Sequence, residues 1–83
     1  MKIKMEGYLI YLLYRQMFPT NRIELIAPHA TFDGVVDQLE ENKKYFIDKG
    51  RDVETQSDGS FLVKDKDGNP KEYFFVSTRT ILK

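Results

Sequence analysis

Residues Tyr8 to Tyr14 read Tyr-Leu-Ile-Tyr-Leu-Leu-Tyr, an unbroken apolar and aromatic run in a chain of 83 residues. A segment with no polar side has to be covered all round, and that requirement limits what the chain can fold into. A membrane helix needs about 20 such residues. This run is far shorter and ends at Arg15-Gln16. A secretory signal needs small residues at a cleavage site after its apolar stretch, whereas Arg-Gln-Met-Phe-Pro follows here. The expectation is a cytoplasmic protein that does not enter a membrane, with the run serving as a core strand or a core helix.

The flanking pattern favours a strand. Ile3 and Met5 alternate with Lys2, Lys4 and Glu6, and the alternation leads into the run through Gly7, a natural position for a bulge. A turn through Gln16–Asn21 leads to a second strand over 22–27. There Ile23, Leu25 and Ala27 alternate with Arg22, Glu24 and Ile26, and Pro28 ends the pattern. A short helix over 8–17 is the rival, because Leu9, Leu12, Leu13 and Met17 are helix formers and the run lacks a clean period of two.

The middle of the chain is helical. Phe32, Val35, Val36, Leu39, Phe46 and Ile47 fall on one stripe. Thr31 is placed as N-cap, and Asp33 and Asp37 sit in the positive first turns. Glu40 and Lys44 are spaced for an ion pair, and Gly50 closes the helix in a left-handed conformation. Thereafter the period changes. Asp58-Gly59 and Asp67-Gly68 suit tight hairpin turns with two positive-φ residues each. They divide strands expected at 52–57, 60–66 and 71–82. The fold class is α+β: an antiparallel sheet of about four to five strands with one amphipathic helix packed on one face, in the order β-β-α-β-β-β, as a single domain over residues 1–83.

Composition narrows the functions. Thirteen Lys and Arg balance thirteen Asp and Glu, so no net field draws the chain to nucleic acid or an anionic membrane. Cys is absent, which removes thiol chemistry and Cys-ligated metals. Five Tyr and six Phe are many for this length and argue for a folded chain.

The candidate sites are weak individually. His29, the only histidine, lacks a sequence-visible nucleophile or carboxylate partner and reads as an exposed loop residue. Asp65, Asp67 and Asn69 resemble the opening of a calcium loop, but its sixth position is Pro70 and its twelfth Val76. The segment reads as a polar turn. Asp33, Asp37, Glu40 and Glu41 read as a solvated helix face. Arg15, Arg22, Lys64, Lys66, Lys71, Arg79 and Lys83 are interleaved with Tyr8, Tyr11, Tyr14, Tyr73 and Phe75, a mixture that suits single-stranded nucleic acid where the groups share a face. No catalytic motif is present, so the chain is expected to be neither an enzyme nor a carrier of cofactor or metal.

The first and last strands are apolar on both faces. One helix covers one face only. The other is closed by curling into a barrel, by a second helix at 8–17, or by another chain. With even positions of the first strand outward and Phe74, Val76 and Leu82 facing the helix, the outward set is Tyr8, Ile10, Tyr14, Tyr73, Phe75 and Arg79. The expected function is a small protein-interaction module, an inhibitor or regulator of the kind common among accessory proteins of phages and mobile elements. Its partner is another protein or a second copy as a homodimer. A single-stranded nucleic-acid-binding domain is the alternative.

Overall fold

The computed structural model describes residues 7–82. The expected lead-in over residues 1–6, Lys83 and the side chain of Leu82 lie outside what is described. The elements are β1 (Gly7–Met17), β2 (Arg22–His29), α1 (Phe32–Asp48), β3 (Asp52–Thr55), β4 (Phe61–Lys64) and β5 (Pro70–Leu82). The strands form one antiparallel sheet in the order β2-β1-β5-β4-β3, with α1 across one face. The α+β class, the single helix and the element order match the sequence expectation.

The ambiguous run is a strand. β1 pairs with β5 from Gly7 to Met17 and with β2 from Tyr11 to Met17. Two neighbours satisfy its backbone, and that outweighs the helix propensity of its leucines. Its register with β5 is unbroken from Gly7 onward, so the irregularity lies elsewhere. The pairing with β2 shifts between Leu13 and Tyr14, where Leu13 opposes Ala27 and Tyr14 opposes Leu25. Ile26 is the extra residue of a bulge.

That bulge rewrites the alternation expected for the second strand. Ile23 and Leu25 lie across from Gln16 and Tyr14, Ala27 crosses to the side of Leu13, and Ile26 packs on the core. The strand also runs through Pro28 instead of ending there. The Phe18 N–H donates to the Lys71 carbonyl at 3.0 Å, which fixes the phase of the ladder. Even residues of β1 direct their backbone groups to β5 and odd ones to β2. Pro28 opposes Leu12, so its missing N–H faces the outer edge and breaks no ladder bond.

The helix starts and stops as its sequence dictates. Thr31 is extended (φ −127°), and its hydroxyl accepts from the Gly34 N–H at 3.0 Å. Gly50 follows the helix at φ +77°. The ion pair on its surface is Lys43 with Glu40 at 3.1 Å, one position from the expected Lys44. Val35 and Leu39 are buried, and Val36 and Phe46 pack beside them. Phe32 and Ile47 were expected on this stripe but are more than half exposed. Phe32 lies in the first turn, where its ring meets that of Tyr11 in an edge contact (ring centroids 5.8 Å). Ile47 is turned roughly 80–120° from Leu39 and Val35 at 100° per residue.

The two Asp-Gly turns are not the two-residue type. Only Gly59 (φ +92°) and Gly68 (φ +83°) are left-handed, and both Asp residues keep negative φ. The Gly59 N–H donates to Gln56 and the Gly68 N–H to Asp65, each at 3.1 Å. Each turn is a four-residue turn closed by a left-handed glycine, the geometry of a slightly longer hairpin loop. Its length shortens the neighbouring strands to 52–55 and 61–64.

The core is small. Leu13, Val35, Leu39, Phe61, Val63 and Phe74 are buried among the described residues, with Phe61 stacked on Phe74 at 4.7 Å. All lie between the sheet and α1.

Candidate protein-interaction face

The side of the sheet away from α1 follows directly from the pairing. Leu13 and Phe74 are buried on the helix side, so their neighbours in β1 and β5 point the other way. Cross-strand partners share a face. Tyr8 opposes Ile81, Ile10 opposes Arg79, Leu12 opposes Ser77, Tyr14 opposes Phe75 and Gln16 opposes Tyr73. All six residues of the expected outward set, Tyr8, Ile10, Tyr14, Tyr73, Phe75 and Arg79, therefore lie on this open face. β2 adds Ile23, Leu25 and Pro28, and β4 adds Leu62 opposite Tyr73.

The aromatic rings form a ladder. Tyr14 stacks on Phe75 (5.4 Å, 20°), and Phe75 on Tyr73 (5.5 Å, 21°). The Tyr73 hydroxyl is 2.9 Å from the Ser60 hydroxyl, which donates to the Asp58 carboxylate at 2.5 Å. The Ser60 hydroxyl and N–H together hold the Asp58 carboxyl below its usual range. Tyr73 is thus fixed at its tip as well as at its ring. The rings of Tyr14, Tyr73 and Phe75 shield one another to half-burial, while Tyr8, Ile23 and Leu25 are 50–54% exposed.

Among the described residues, charge on this face is confined to the margin. Arg79 lies toward one end and Lys71 at the other, with Lys71 facing Asp65 at 3.6 Å. Between them the positions contributed by β1, β2 and β5 are all uncharged. On the β3 side, Lys64 pairs with Glu54 at 2.6 Å, which raises the Lys64 pKa.

The remaining candidates of the sequence are placed elsewhere. Arg15 is on the helix side, bound to Glu24 and to Glu72. Tyr11 is there too, packed on the core. The basic and aromatic residues that were interleaved in sequence are therefore split between the two faces. His29 is half-buried at the end of β2, in contact with the Gln38 side chain, and not an exposed loop residue. The register that places it opposite Tyr11 turns it toward α1. Asp65 accepts from the N–H groups of Asn69 and Asp67 at 2.9 Å each, which orders the turn and lowers the Asp65 pKa, Asn69 contributing most. Asp33, Asp37, Glu40 and Glu41 are exposed along α1. No cluster of three or more metal-ligating side chains occurs among the described residues. No helix among them is long and apolar enough to cross a membrane.

Two of the three ways to cover the second face are removed by this geometry. Residues 8–17 are not a helix, and the sheet is open, with β2 and β3 at opposite edges among the described residues. The contribution of Ile23, Leu25 and Leu62 was not visible in the sequence. It depends on strand order and on the bulge at Ile26, neither of which has a local signature.

No protein-family model, no curated protein and no solved structure matches this chain. The functional argument therefore rests on the face itself.

Proposed function

We propose that the chain is a small protein-interaction module, an inhibitor or regulator that acts by surface complementarity through the open face of its sheet. The observation that carries this is the uncharged aromatic and aliphatic surface between Arg79 and Lys71, with charged groups only at its margin. An apolar centre within a polar rim is the anatomy of protein interfaces. A contiguous apolar patch of several hundred Å² on a soluble domain marks a binding surface. Tyr, Phe and an occasional Arg are the side chains on which binding energy concentrates.

The stacked ladder of Tyr14, Phe75 and Tyr73 also suits unstacked bases, which supports single-stranded nucleic acid as a second reading. Electrostatics favours the first. Binding a phosphate backbone relies on several cations alongside the rings. Here Arg15 is across the sheet between two carboxylates, and Lys64 and Lys71 each face one.

The test is affinity capture from the native host with the parent chain and with Phe75→Lys, alongside an exposed helix control, Lys44→Glu. Proteins held by the parent and the control but lost with Phe75→Lys support the reading. Capture that is indifferent to Phe75→Lys, or tight salt-sensitive binding of single-stranded oligonucleotides in fluorescence anisotropy, overturns it.

A further inference from the structure

We propose that the open face is closed by a second copy of this chain, the two sheets packing face to face about a two-fold axis to enclose a second core. This rests on the reading of that face as an interaction surface, and it names the partner.

Size is the first reason. The three strands whose open-face positions are uncharged, β2, β1 and β5, are spaced about 4.8 Å apart and make a strip about 14 Å wide; some nine residues of strand span about 30 Å, a flat footprint on the order of 430 Å² that Leu62 of β4 extends. A stable, specific interface buries about 800 Å² per partner. Side chains standing up from the sheet expose more area than their flat footprint, so one copy of this face approaches the small end of that class when it covers another.

Chemistry is the second. Over β2, β1 and β5 the face has no charge between Arg79 and Lys71 and so offers a charged partner little to read there. Its complement is another uncharged, apolar, gently twisted surface. Interfaces between identical chains are the more apolar and charge-depleted class, and antiparallel sheets pack face to face about 10 Å apart with their twist matched.

The third reason is the imbalance within one chain. Among the described residues six hydrophobic side chains are buried against α1 with others packed beside them, whereas Leu12, Tyr14, Leu62, Phe75 and Leu25 on the other side remain partly in water. A domain this small has little burial to spare. Enclosing those side chains adds a second core about as large as the first.

The outer edges of the sheet argue against association by strand addition. β2 carries the bulge at Ile26 and the N–H-less Pro28. β3 is four residues long and carries Asp52 and Glu54. Both are devices that discourage pairing at an edge, and the open-face positions of β1 and the part of β5 between Arg79 and Lys71 carry none.

Sedimentation equilibrium of the full chain over a wide concentration range tests the proposal, with Phe75→Lys at the centre of the face and Leu25→Lys on edge strand β2. The expected result is a dimer for the parent and a dissociation constant raised at least tenfold in both variants. Their far-ultraviolet circular dichroism and cooperative melting should be kept. In a dimer mixed from isotope-labelled and unlabelled chains, filtered nuclear Overhauser effects should connect Tyr14, Phe75 and Leu25 across copies, a readout that needs no variant. A parent dimer without those cross-copy effects, or with a dissociation constant indifferent to both variants, overturns the proposal. So does a parent that is monomeric at every concentration. In that case, variants that melt like the parent leave the face free for a different protein. Variants that are unfolded instead mean that the side chains are needed by the monomer, and the interaction-face reading fails as well.

Discussion

Phe74 and Phe75 are adjacent in β5 and point to opposite faces, so the same truncation at each compares the two sides of the sheet directly. Phe74 is 3% exposed, stacked on Phe61 at 4.7 Å and packed on Phe46 at 5.5 Å. Replacing it by Ala opens a cavity in a core of six residues and should cost about 3–5 kcal/mol. The whole stability of a domain this size is about 4–12 kcal/mol, so Phe74→Ala should remove a large share of it. Phe75 is half-buried, held by stacking on Tyr14 and Tyr73. Two such pairs are worth about 1–3 kcal/mol together, with the lower end expected because water already reaches the ring. The difference should be at least about 2 kcal/mol, roughly thirtyfold or more in the unfolding equilibrium. Urea unfolding followed by circular dichroism measures it, at protein concentrations below any self-association. Equal costs, or a larger cost at Phe75, would refute the assignment of the core to the helix side alone.

Further outcomes follow from the same geometry. Tyr8→Ala, at a position 51% exposed, should change the thermal midpoint little, whereas Tyr73→Ala should lower it because the ring stacks and its hydroxyl meets Ser60; calorimetry on both checks the contrast. Thr31→Ala removes the oxygen that accepts from the Gly34 N–H and should destabilise the domain by about 1 kcal/mol in denaturant titration. Gly50→Ala meets no steric obstacle but forces a left-handed conformation on Ala, a cost of about 1–2 kcal/mol that Gly50→Asn should largely avoid, read in the same titration. The Asp58 carboxyl is held down by the Ser60 hydroxyl first and its N–H second. A lowered folded pKa gives stability that is present above the unfolded value and lost as pH falls through the folded one, so the loss sets in below about pH 4. Asp58→Asn should flatten that acid limb in a plot of thermal midpoint against pH.

The sequence by itself determined the elements whose signals are local. Thr31 and Gly50 bracket α1 because capping needs a hydroxyl at one end and a left-handed residue at the other, and both are read from single positions. Asp58-Gly59 and Asp67-Gly68 marked the two turns for the same reason, although the turn class depended on the φ of the Asp residues. The faces of β1 and β5 were legible because a period of two is rigid, and it placed Tyr8, Ile10, Tyr14, Tyr73, Phe75 and Arg79 together. Tertiary structure alone decided what depends on pairing with distant strands. Tyr8–Tyr14 has the composition of a strand or a helix, and β5, 61 residues away in sequence even at the closest of its pairs, Tyr14 with Phe75, supplies the backbone partners that make it a strand. The bulge at Ile26, the passage of the strand through Pro28 and the turning of His29 toward Gln38 all follow from the register of β2 on β1. So does the joining of Ile23 and Leu25 to the aromatic ladder. A register is set by the summed fit of whole strands, and no single residue in either strand records it.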